Sequence, residues 1–308
     1  MNSTGDAPDN NPGDDVCDTG GTNSQGATEC TLRAAIEEAD ASATVDAIGF
    51  DMSATEPGHS GGIWTISTTS GAYPWIGSAI DIDATTQSGY AGSPIVVLDG
   101  SGLSSGEVGL GFSATAADSR VAGLSIVSFP DDGISSGADR VIIEGNYVGV
   151  RPDGTTAPGN GAENVAMWGS AADPIVRDNL IAAATDANVT ATGTVTGFVV
   201  TGNTIGTDLT GTLALGGAQA FWTDTAGTVR IGGSGAGEGN VIAHSTWDNI
   251  QVAGNNSTVT VLGNSIWGGG QLGTDLEAPA DSGDGVTPNA VSYTHLTLPT
   301  TSALWRSR

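Results

Sequence analysis

Short runs of alternating apolar and polar residues fill the chain from Val45 onward, and Gly, Ser, Asp or Pro interrupts each run. Such runs are typical of β-strands with one buried face. No helical pattern of about 10 to 15 residues separates them, which argues against alternating βαβ units. The pattern therefore predicts an all-β architecture. The predicted strands in the N-terminal half cover residues 47–50, 63–66, 80–82, 95–98, 108–112, 121–127 and 141–148.

A short pattern built on asparagine recurs through the C-terminal half. The segment Gly202-Asn203-Thr204-Ile205-Gly206 has relatives around Asn146, Asn179, Asn240 and Asn264, at successive intervals of 33, 24, 37 and 24 residues. Mainly apolar residues stand five and three positions before the Asn and two positions after it, although the Asn240 copy departs upstream. An internal repeat of this period indicates a solenoid. The repeat predicts parallel β-helix coils over residues 45–289, with outward loops at the long intervals.

The recurring asparagines have a structural interpretation. Asn tolerates the left-handed backbone region that a sharp bend between strands requires, and a preceding Gly lets the backbone bend without a Cβ clash. The side-chain amides of successive coils can bond to one another. The sequence therefore predicts an internal asparagine ladder of Asn146, Asn179, Asn203, Asn240 and Asn264.

One helix is predicted, close to the N-terminus. Thr31 has the character of an N-cap, and apolar residues follow at helical spacing at Leu32, Ala35, Ile36 and Ala39. A helix of about ten residues is marginal alone, so we expect it to lie across the open first coil as a cap. Residues 1–44 are therefore predicted to form an N-terminal cysteine-containing loop and a capping helix.

The net charge of the chain excludes some classes of binding partner. The 308 residues include 34 acidic residues against 8 basic ones, all of them Arg, for a net charge of −26. Nucleic acids and anionic membranes would be repelled, and no apolar run is long enough to span a membrane. A solvated acidic surface explains most of this charge. No cofactor is indicated, although Asp6, Asp9 and Asp14 in a Gly- and Pro-rich loop are candidate Ca²⁺ ligands.

Cys17 and Cys30 are the only cysteines, and they bracket a loop rich in Gly, Thr and Ser. A disulfide that closes this loop is the favoured interpretation. A metal site would need four ligands, and no His or further Cys lies close in sequence. The pair is weak support for an oxidising compartment.

The segment from Cys17 through Cys30-Thr31-Leu32-Arg33-Ala34-Ala35-Ile36 resembles the CSLREA-type N-terminal region of bacterial secreted β-helix proteins. Residues 80–90 resemble the first coils of that family, and the segments at 203–208 and 237–242 resemble later ones. The likeness covers nearly all of residues 2–289. It implies a right-handed parallel β-helix and extracellular or cell-surface display, often inside a larger protein, but no single agreed activity.

Both ends of the chain depart from that family. Met1-Asn2-Ser3-Thr4 leads directly into polar sequence without the apolar region of a secretory signal, which suggests that a signal was removed or that the sequence is a fragment. Residues 290–308 resemble translated sequencing adapter, and we treat them as a non-native tail. The chain is therefore expected to be a monomeric module of a larger protein.

No complete catalytic set can be recognised. Polysaccharide-cutting β-helix enzymes, by resemblance, use several carboxylates for hydrolysis or Ca²⁺ with a basic residue for β-elimination. The best carboxylate pair is Asp131 and Asp132, and Arg177 is a candidate base. Adjacent aspartates in a turn usually cap that turn, so these three residues are weak catalytic candidates.

Tryptophans in the later coils are candidates for stacking against sugar rings, with packing of loops onto the solenoid as the alternative. They are Trp168, Trp222, Trp247 and Trp267. The function we expect is that of a secreted or cell-surface β-helix module with a structural, adhesive or glycan-binding role. The alternative is a polysaccharide lyase or glycoside hydrolase. The expected partner is an extracellular polysaccharide or a surface protein, and not a nucleic acid.

Overall fold

The computed structural model describes residues 1–42, 45–253 and 257–277. Within these residues the chain forms one α-helix, a short 3₁₀ helix at Ala84–Thr86 and 24 strands in three sheets. All strand pairs are parallel except the hairpin β2–β3, so the strands belong to successive coils of one solenoid.

Sheet 1 has eight strands, in the order of their coils. They are β1 (Asp46–Gly49), β4 (Ile80–Asp83), β7 (Arg120–Ala122), β10 (Ile142–Glu144), β13 (Ile175–Arg177), β16 (Phe198–Thr201), β19 (Thr228–Gly232) and β22 (Thr258–Leu262). Sheet 2 has nine strands. They are β2 (His59–Ser60), β3 (Ile63–Ser67), β5 (Val96–Asp99), β8 (Leu124–Val127), β11 (Tyr147–Val148), β14 (Leu180–Ile181), β17 (Thr204–Ile205), β20 (Val241–Ala243) and β23 (Ser265–Trp267).

Sheet 3 has seven strands. They are β6 (Leu110–Phe112), β9 (Ile134–Ser136), β12 (Val165–Met167), β15 (Ala187–Ala191), β18 (Gln219–Thr223), β21 (Ile250–Ala253) and β24 (Thr274–Glu277). Each full coil visits sheets 1, 2 and 3 in turn, as β7, β8 and β9 do. The predicted parallel β-helix with an N-terminal helix is confirmed. Its right-handed sense stays a prediction, which agrees with the usual hand of parallel crossovers.

Apolar residues stack in register along the inside of the coils. In sheet 1 one such column is completely buried and runs through Val121, Ile143, Val176, Val200 and Ile231. Because side chains alternate across a strand, the neighbouring positions of these strands face outward. The core is therefore one continuous apolar column, and any function must use the outer faces, the corners or the loops.

Two predicted strands are in fact pairs of strands. The runs 121–127 and 141–148 each contain a corner between sheets 1 and 2, at Gly123 and at Gly145-Asn146. Both glycines have positive φ, 75° and 64°. Apolar periodicity continues through these corners because both flanking strands have buried faces, so the hydrophobic pattern alone did not reveal them.

The asparagine ladder lies at the corner between sheets 1 and 2. The backbone N–H and the side-chain Nδ2 of Asn179 both donate to Oδ1 of Asn203, at 3.0 Å each. Equivalent bonds join Asn146 to Asn179, Asn203 to Asn240 and Asn240 to Asn264. The side-chain amide of each ladder asparagine thus links its coil to the next coil, because the amide oxygen accepts hydrogen bonds and the amide nitrogen donates them.

The left-handed conformation does not belong to the asparagines, which corrects the expectation from sequence. It belongs to the residue before the Asn in four copies, namely Gly145, Asp178, Gly202 and Gly263, with φ between 57° and 70°. Asn is needed here for its amide, because the ladder uses both the donor and the acceptor, and the preceding residue makes the bend.

A second row of asparagines, missed from the sequence, lies at the corner between sheets 2 and 3. Nδ2 of Asn164 donates to Oδ1 of Asn188 at 2.8 Å, and Asn249 occupies the equivalent position two coils further on, after an interruption at Ala220. All three asparagines are fully buried. The sequence signal is an Asn directly before an apolar strand residue, as in Asn164-Val165, Asn188-Val189 and Asn249-Ile250.

The helix α1 (Leu32–Ala41) begins after Thr31, whose side chain accepts a hydrogen bond from the N–H of Ala34. Its apolar face is buried in the main core and lies against β1. The N-terminal loop before it contains a disulfide between Cys17 and Cys30, with an S–S distance of 2.00 Å. The helix therefore closes the first coil, as a cap is expected to do.

Among the described residues no helix is long and apolar enough to cross a membrane. The segment 290–308, predicted to be a non-native tail, lies outside the described residues.

Candidate functional site

Two of the four candidate tryptophans lie on the outer face of sheet 3, where a third, Trp75, joins them. The bridge between Ile76 and Phe112 places Trp75 beside Gly111, in the outward column of the sheet. Trp222 lies in the same column further along the axis. In coil order this column reads Trp75, Gly111, Ser135, Ala166, Thr190, Trp222 and Gln251.

The small residues of this column leave room for the indole rings. A Cβ at Gly111 would lie 2.8 Å, 2.8 Å and 3.0 Å from three consecutive atoms of the Trp75 ring, so the glycine lies against the face of that ring. Gly137 meets the six-membered ring of Trp168 in the same way, at 2.7 to 3.0 Å. Trp168 also donates from Nε1 to Oγ of Ser135 at 3.2 Å. Packing on glycine fixes one face of each ring.

Trp75 and Trp168 form an edge-to-face pair, with ring centroids 6.0 Å apart and an interplanar angle of 76°. Trp75 is 47% exposed, and Trp168 and Trp222 are half-buried. Five strand spacings separate Trp75 from Trp222 in the column, which is about 24 Å along the axis. We call the surface formed by Trp75, Trp168, Trp222 and the small residues between them the Trp face.

The other two candidate tryptophans lie elsewhere. Trp267 ends β23 in sheet 2, where its ring makes an edge contact with His244 and lies 3.5 Å from a Cβ built at Gly211. Trp247 lies in the turn before β21 and is 51% exposed. The structure therefore does not bring the four predicted residues together on one surface.

Asp131 and Asp132 lie at the edge of sheet 3 where its strands begin. Glu163 is in register with Asp132 on the next coil, and its N–H donates to Oδ1 of Asp132 at 3.2 Å. Asp186 directly precedes the following strand, β15, and its N–H donates to the carbonyl of Ala162. We call Asp131, Asp132, Glu163 and Asp186 the acidic row.

Two pKa values in the acidic row are displaced. Burial, helped by the carboxylates of Asp132 and Asp186, raises the pKa of Glu163 to about 8. Burial and the nearby Asp132 also raise the pKa of Asp131. Glu163 therefore keeps its proton at neutral pH, and it can share this proton with Asp132.

This proton predicts a pH dependence of stability. The folded chain holds the Glu163 proton up to about pH 8, whereas the unfolded chain releases it near its ordinary pKa, so the free energy of unfolding should fall as pH rises from about 5 to 8. After allowance for solvent screening, we expect a contribution of about 1–2 kcal/mol. Urea denaturation of the wild type and of Glu163→Gln across this range measures it. If the free energy of unfolding depends on pH in the same way in both proteins, the raised pKa does not belong to Glu163.

Arg177 does not lie with the carboxylate candidates. It belongs to the outer face of sheet 1, where its Nη2 lies 2.5 Å from Glu144. Arg120 binds the other oxygen of Glu144 and also Asp81 and Asp83. Although burial acts in the opposite direction, the hydrogen bonds from the two arginines hold the pKa of Glu144 below its usual range. Arg177 is thus one partner in a charged network on a different sheet.

The proposed calcium ligands have other partners. Asp6 is buried and forms an ion pair with Arg33. Asp9 accepts hydrogen bonds from the N–H groups of Asn11 and Asp18, and Asp14 accepts from Asn11 and Val16. In the residues that the structure describes, no group of three or more His, Cys, Asp or Glu could hold a metal ion. Calcium binding stays a prediction.

The sequence did not identify Trp75 as part of the Trp face, or Glu163 as part of the acidic row. Trp75 precedes the first Asn-containing coil, so the asparagine alignment did not reach it. Glu163 lies 31 residues after Asp132, and only the strand register brings them together. A usable signal was the shared pattern of an acid one or two positions before an apolar strand residue, at Asp132, Glu163 and Asp248.

Comparisons with known proteins do not assign this chain to a family. No protein-family model matches it, and no curated protein matches it. Among solved structures, an alginate lyase from Paenibacillus sp. str. FPU-7 aligns with a TM-score of 0.37 and 15% sequence identity, over 80% of this chain and 96% of that chain. A likeness at this level says nothing about the ligand of the present chain.

Proposed function

We propose that this chain is an extracellular β-helix module that binds a glycan along the Trp face. The observation that carries the proposal is the set of three tryptophans on the outer face of one sheet, two of them packed on glycine. Aromatic rings fixed in this way offer area for stacking with little loss of conformational freedom. A long, flat surface suits an extended polymer better than a small molecule.

Three further features support an extracellular location. The disulfide between Cys17 and Cys30 is of a kind that persists in oxidising compartments. The acidic surface, with a net charge of −26, favours solubility outside the cell. The resemblance of the N-terminal region to CSLREA-type β-helix proteins has the same implication.

A glycoside hydrolase is the second candidate, and one observation favours it. A protonated Glu163 beside a second carboxyl group is the kind of arrangement in which a glycoside hydrolase holds its acid. The pair lies at the edge of the same sheet that carries the Trp face. Arg177, the candidate base of a lyase, lies on another sheet, so the geometry favours hydrolysis over β-elimination within the enzymatic alternative.

Replacement of Trp222 by alanine should weaken glycan binding about 3- to 10-fold, because a stacked aromatic contact contributes about 0.5–1.5 kcal/mol. Trp168→Ala should have a similar effect, and the combination with Trp75→Ala should abolish retardation. The measurement is affinity electrophoresis in gels that contain soluble cellulose, xylan, chitosan or alginate.

Trp267→Ala is the matched control, since Trp267 is 37% exposed but lies on sheet 2, away from both the Trp face and the acidic row. It should bind as the wild type does. Equal losses in the control and in Trp222→Ala would refute the assignment of the binding surface. New reducing ends, formed by the wild type and absent with Asp132→Asn, would instead support the hydrolase.

A further inference from the structure

The acidic row and the Trp face run side by side along the axis of the solenoid. The two more exposed acids, Asp131 and Asp186, each precede a residue of the outward column by four positions, Ser135 and Thr190 respectively. An even offset places side chains on the same side of an extended chain, and four residues span about 13 Å between Cα atoms. A polymer that lies along the Trp face therefore has one edge beside a line of carboxyl groups.

No internal cation neutralises this line. The sequence contains no Lys, and the six arginines in the described part of the chain all form ion pairs elsewhere. None of these ion pairs involves Asp131, Asp132, Glu163 or Asp186. Burial and the neighbouring Asp132 raise the pKa of Glu163 to about 8, and a protonated Glu163 reduces the repulsion within the row.

We infer that the glycan bound along the Trp face is an amino-sugar polymer, whose protonated amino groups lie toward the acidic row while its rings stack on the tryptophans. This inference rests on the proposed function and names the chemical class of its ligand. Charge complementarity selects this class, because unpaired carboxylates attract ammonium groups and repel the carboxylates of uronic acid polymers. A neutral polymer would use the tryptophans and leave the acids without a partner.

Exposure decides which acids of the row a ligand can reach. Asp186 is exposed and Asp131 is half-buried, so both are open to a ligand at the surface, whereas Asp132 is only 9% exposed and holds the N–H of Glu163. Asp131 and Asp186 are accordingly the residues that a ligand amine would contact. Asp132 lies behind them, and the protonated Glu163 adds no charge there.

Isothermal titration calorimetry with oligosaccharides of equal length tests the inference. The probes are a glucosamine hexamer, its fully N-acetylated form, a cello-oligosaccharide and an oligouronate. At about pH 6, where amino groups are protonated, the glucosamine hexamer should bind about tenfold more tightly than the cello-oligosaccharide, and the oligouronate should bind least. Added salt should reduce the advantage of the amine.

Two variants that remove acidic residues test whether the acidic row causes the preference for the amine. The double variant Asp131→Asn/Asp186→Asn should remove most of the preference for the amine and leave binding of the cello-oligosaccharide unchanged, because it keeps the Trp face. Asp15→Asn, a loss of charge in the exposed N-terminal loop, should leave the preference intact. Circular dichroism confirms that each variant is folded.

The possible outcomes separate the inference from the proposed function. Equal affinity for charged and neutral oligosaccharides, with binding lost in the tryptophan variants, would overturn the amino-sugar inference and keep the glycan-binding function. Preference for the oligouronate, or an amine preference that survives in the double variant, would also overturn it. Binding of none of the four probes would remove the proposed function itself.

Discussion

Replacement of Arg33 by methionine should lower the free energy of unfolding by about 3–5 kcal/mol, because it leaves the Asp6 carboxylate buried without a cation, with only the N–H groups of Thr69 and Ser70 as donors. The two side chains are 6% and 3% exposed, and Arg33 Nε lies 2.9 Å from Oδ1 of Asp6. The guanidinium also donates to the carbonyls of Gly71 and Ala72 and lies 5.1 Å from the ring centre of Tyr73. One side chain thus joins the helix, the N-terminal loop and the first coil.

Arg140→Met provides the matched control. Arg140 also binds an aspartate, Asp118, at 2.6 Å, but the two side chains are 51% and 59% exposed. An exposed pair of this kind contributes little to stability, because water and salt screen the two charges. Guanidinium denaturation of both variants measures the difference, and a similar shift of the midpoint in the two would show that the buried pair does not hold the cap. The companion Asp6→Asn tests the same pair from its acidic side.

The architecture could be predicted from the sequence because each coil of the solenoid buries apolar residues at the same positions. Columns such as Val121, Ile143 and Val176 are visible in sequence since each coil buries the same position, and the Asn ladder marks one corner of most coils. A buried column can be recognised in the sequence when its residues stand at a constant distance from a recognisable residue such as the ladder Asn. Where a loop of different length intervenes, as between Gly232 and Asn240, this distance changes, and the strand boundary can no longer be predicted from the Asn.

The outer surface could be predicted only in part, for a physical reason. Outward residues have no shared packing constraint, so their types vary from coil to coil and show no period. Trp168 and Trp222 were found because tryptophan is rare and exposed aromatics suggest sugar binding. Their common face, the role of Gly111 beneath Trp75, and the pairing of Asp132 with Glu163 depend on strand register across about 25 to 35 residues, which only the fold supplies.

The asparagine ladder should be the most sensitive internal feature, and Asn203→Ala should lower the free energy of unfolding by about 3–5 kcal/mol. Asn203 is 1% exposed. Its Oδ1 accepts from the N–H and Nδ2 of Asn179, and its Nδ2 donates to the carbonyls of Val176 and Thr201. Truncation leaves these groups buried without partners, at about 1–3 kcal/mol for each unsatisfied group.

Asn264→Ala separates this effect from a general loss of hydrogen bonds. Asn264 accepts the same two bonds from Asn240, at 2.9 Å and 2.8 Å, but it is half-buried in the last described rung, where water can replace the lost amide. Its loss should cost about 1 kcal/mol. Thermal and urea unfolding of the two variants give the comparison. If both lose the same small amount, the coils are held by apolar stacking alone, and the recurrence of Asn at the corner needs another explanation.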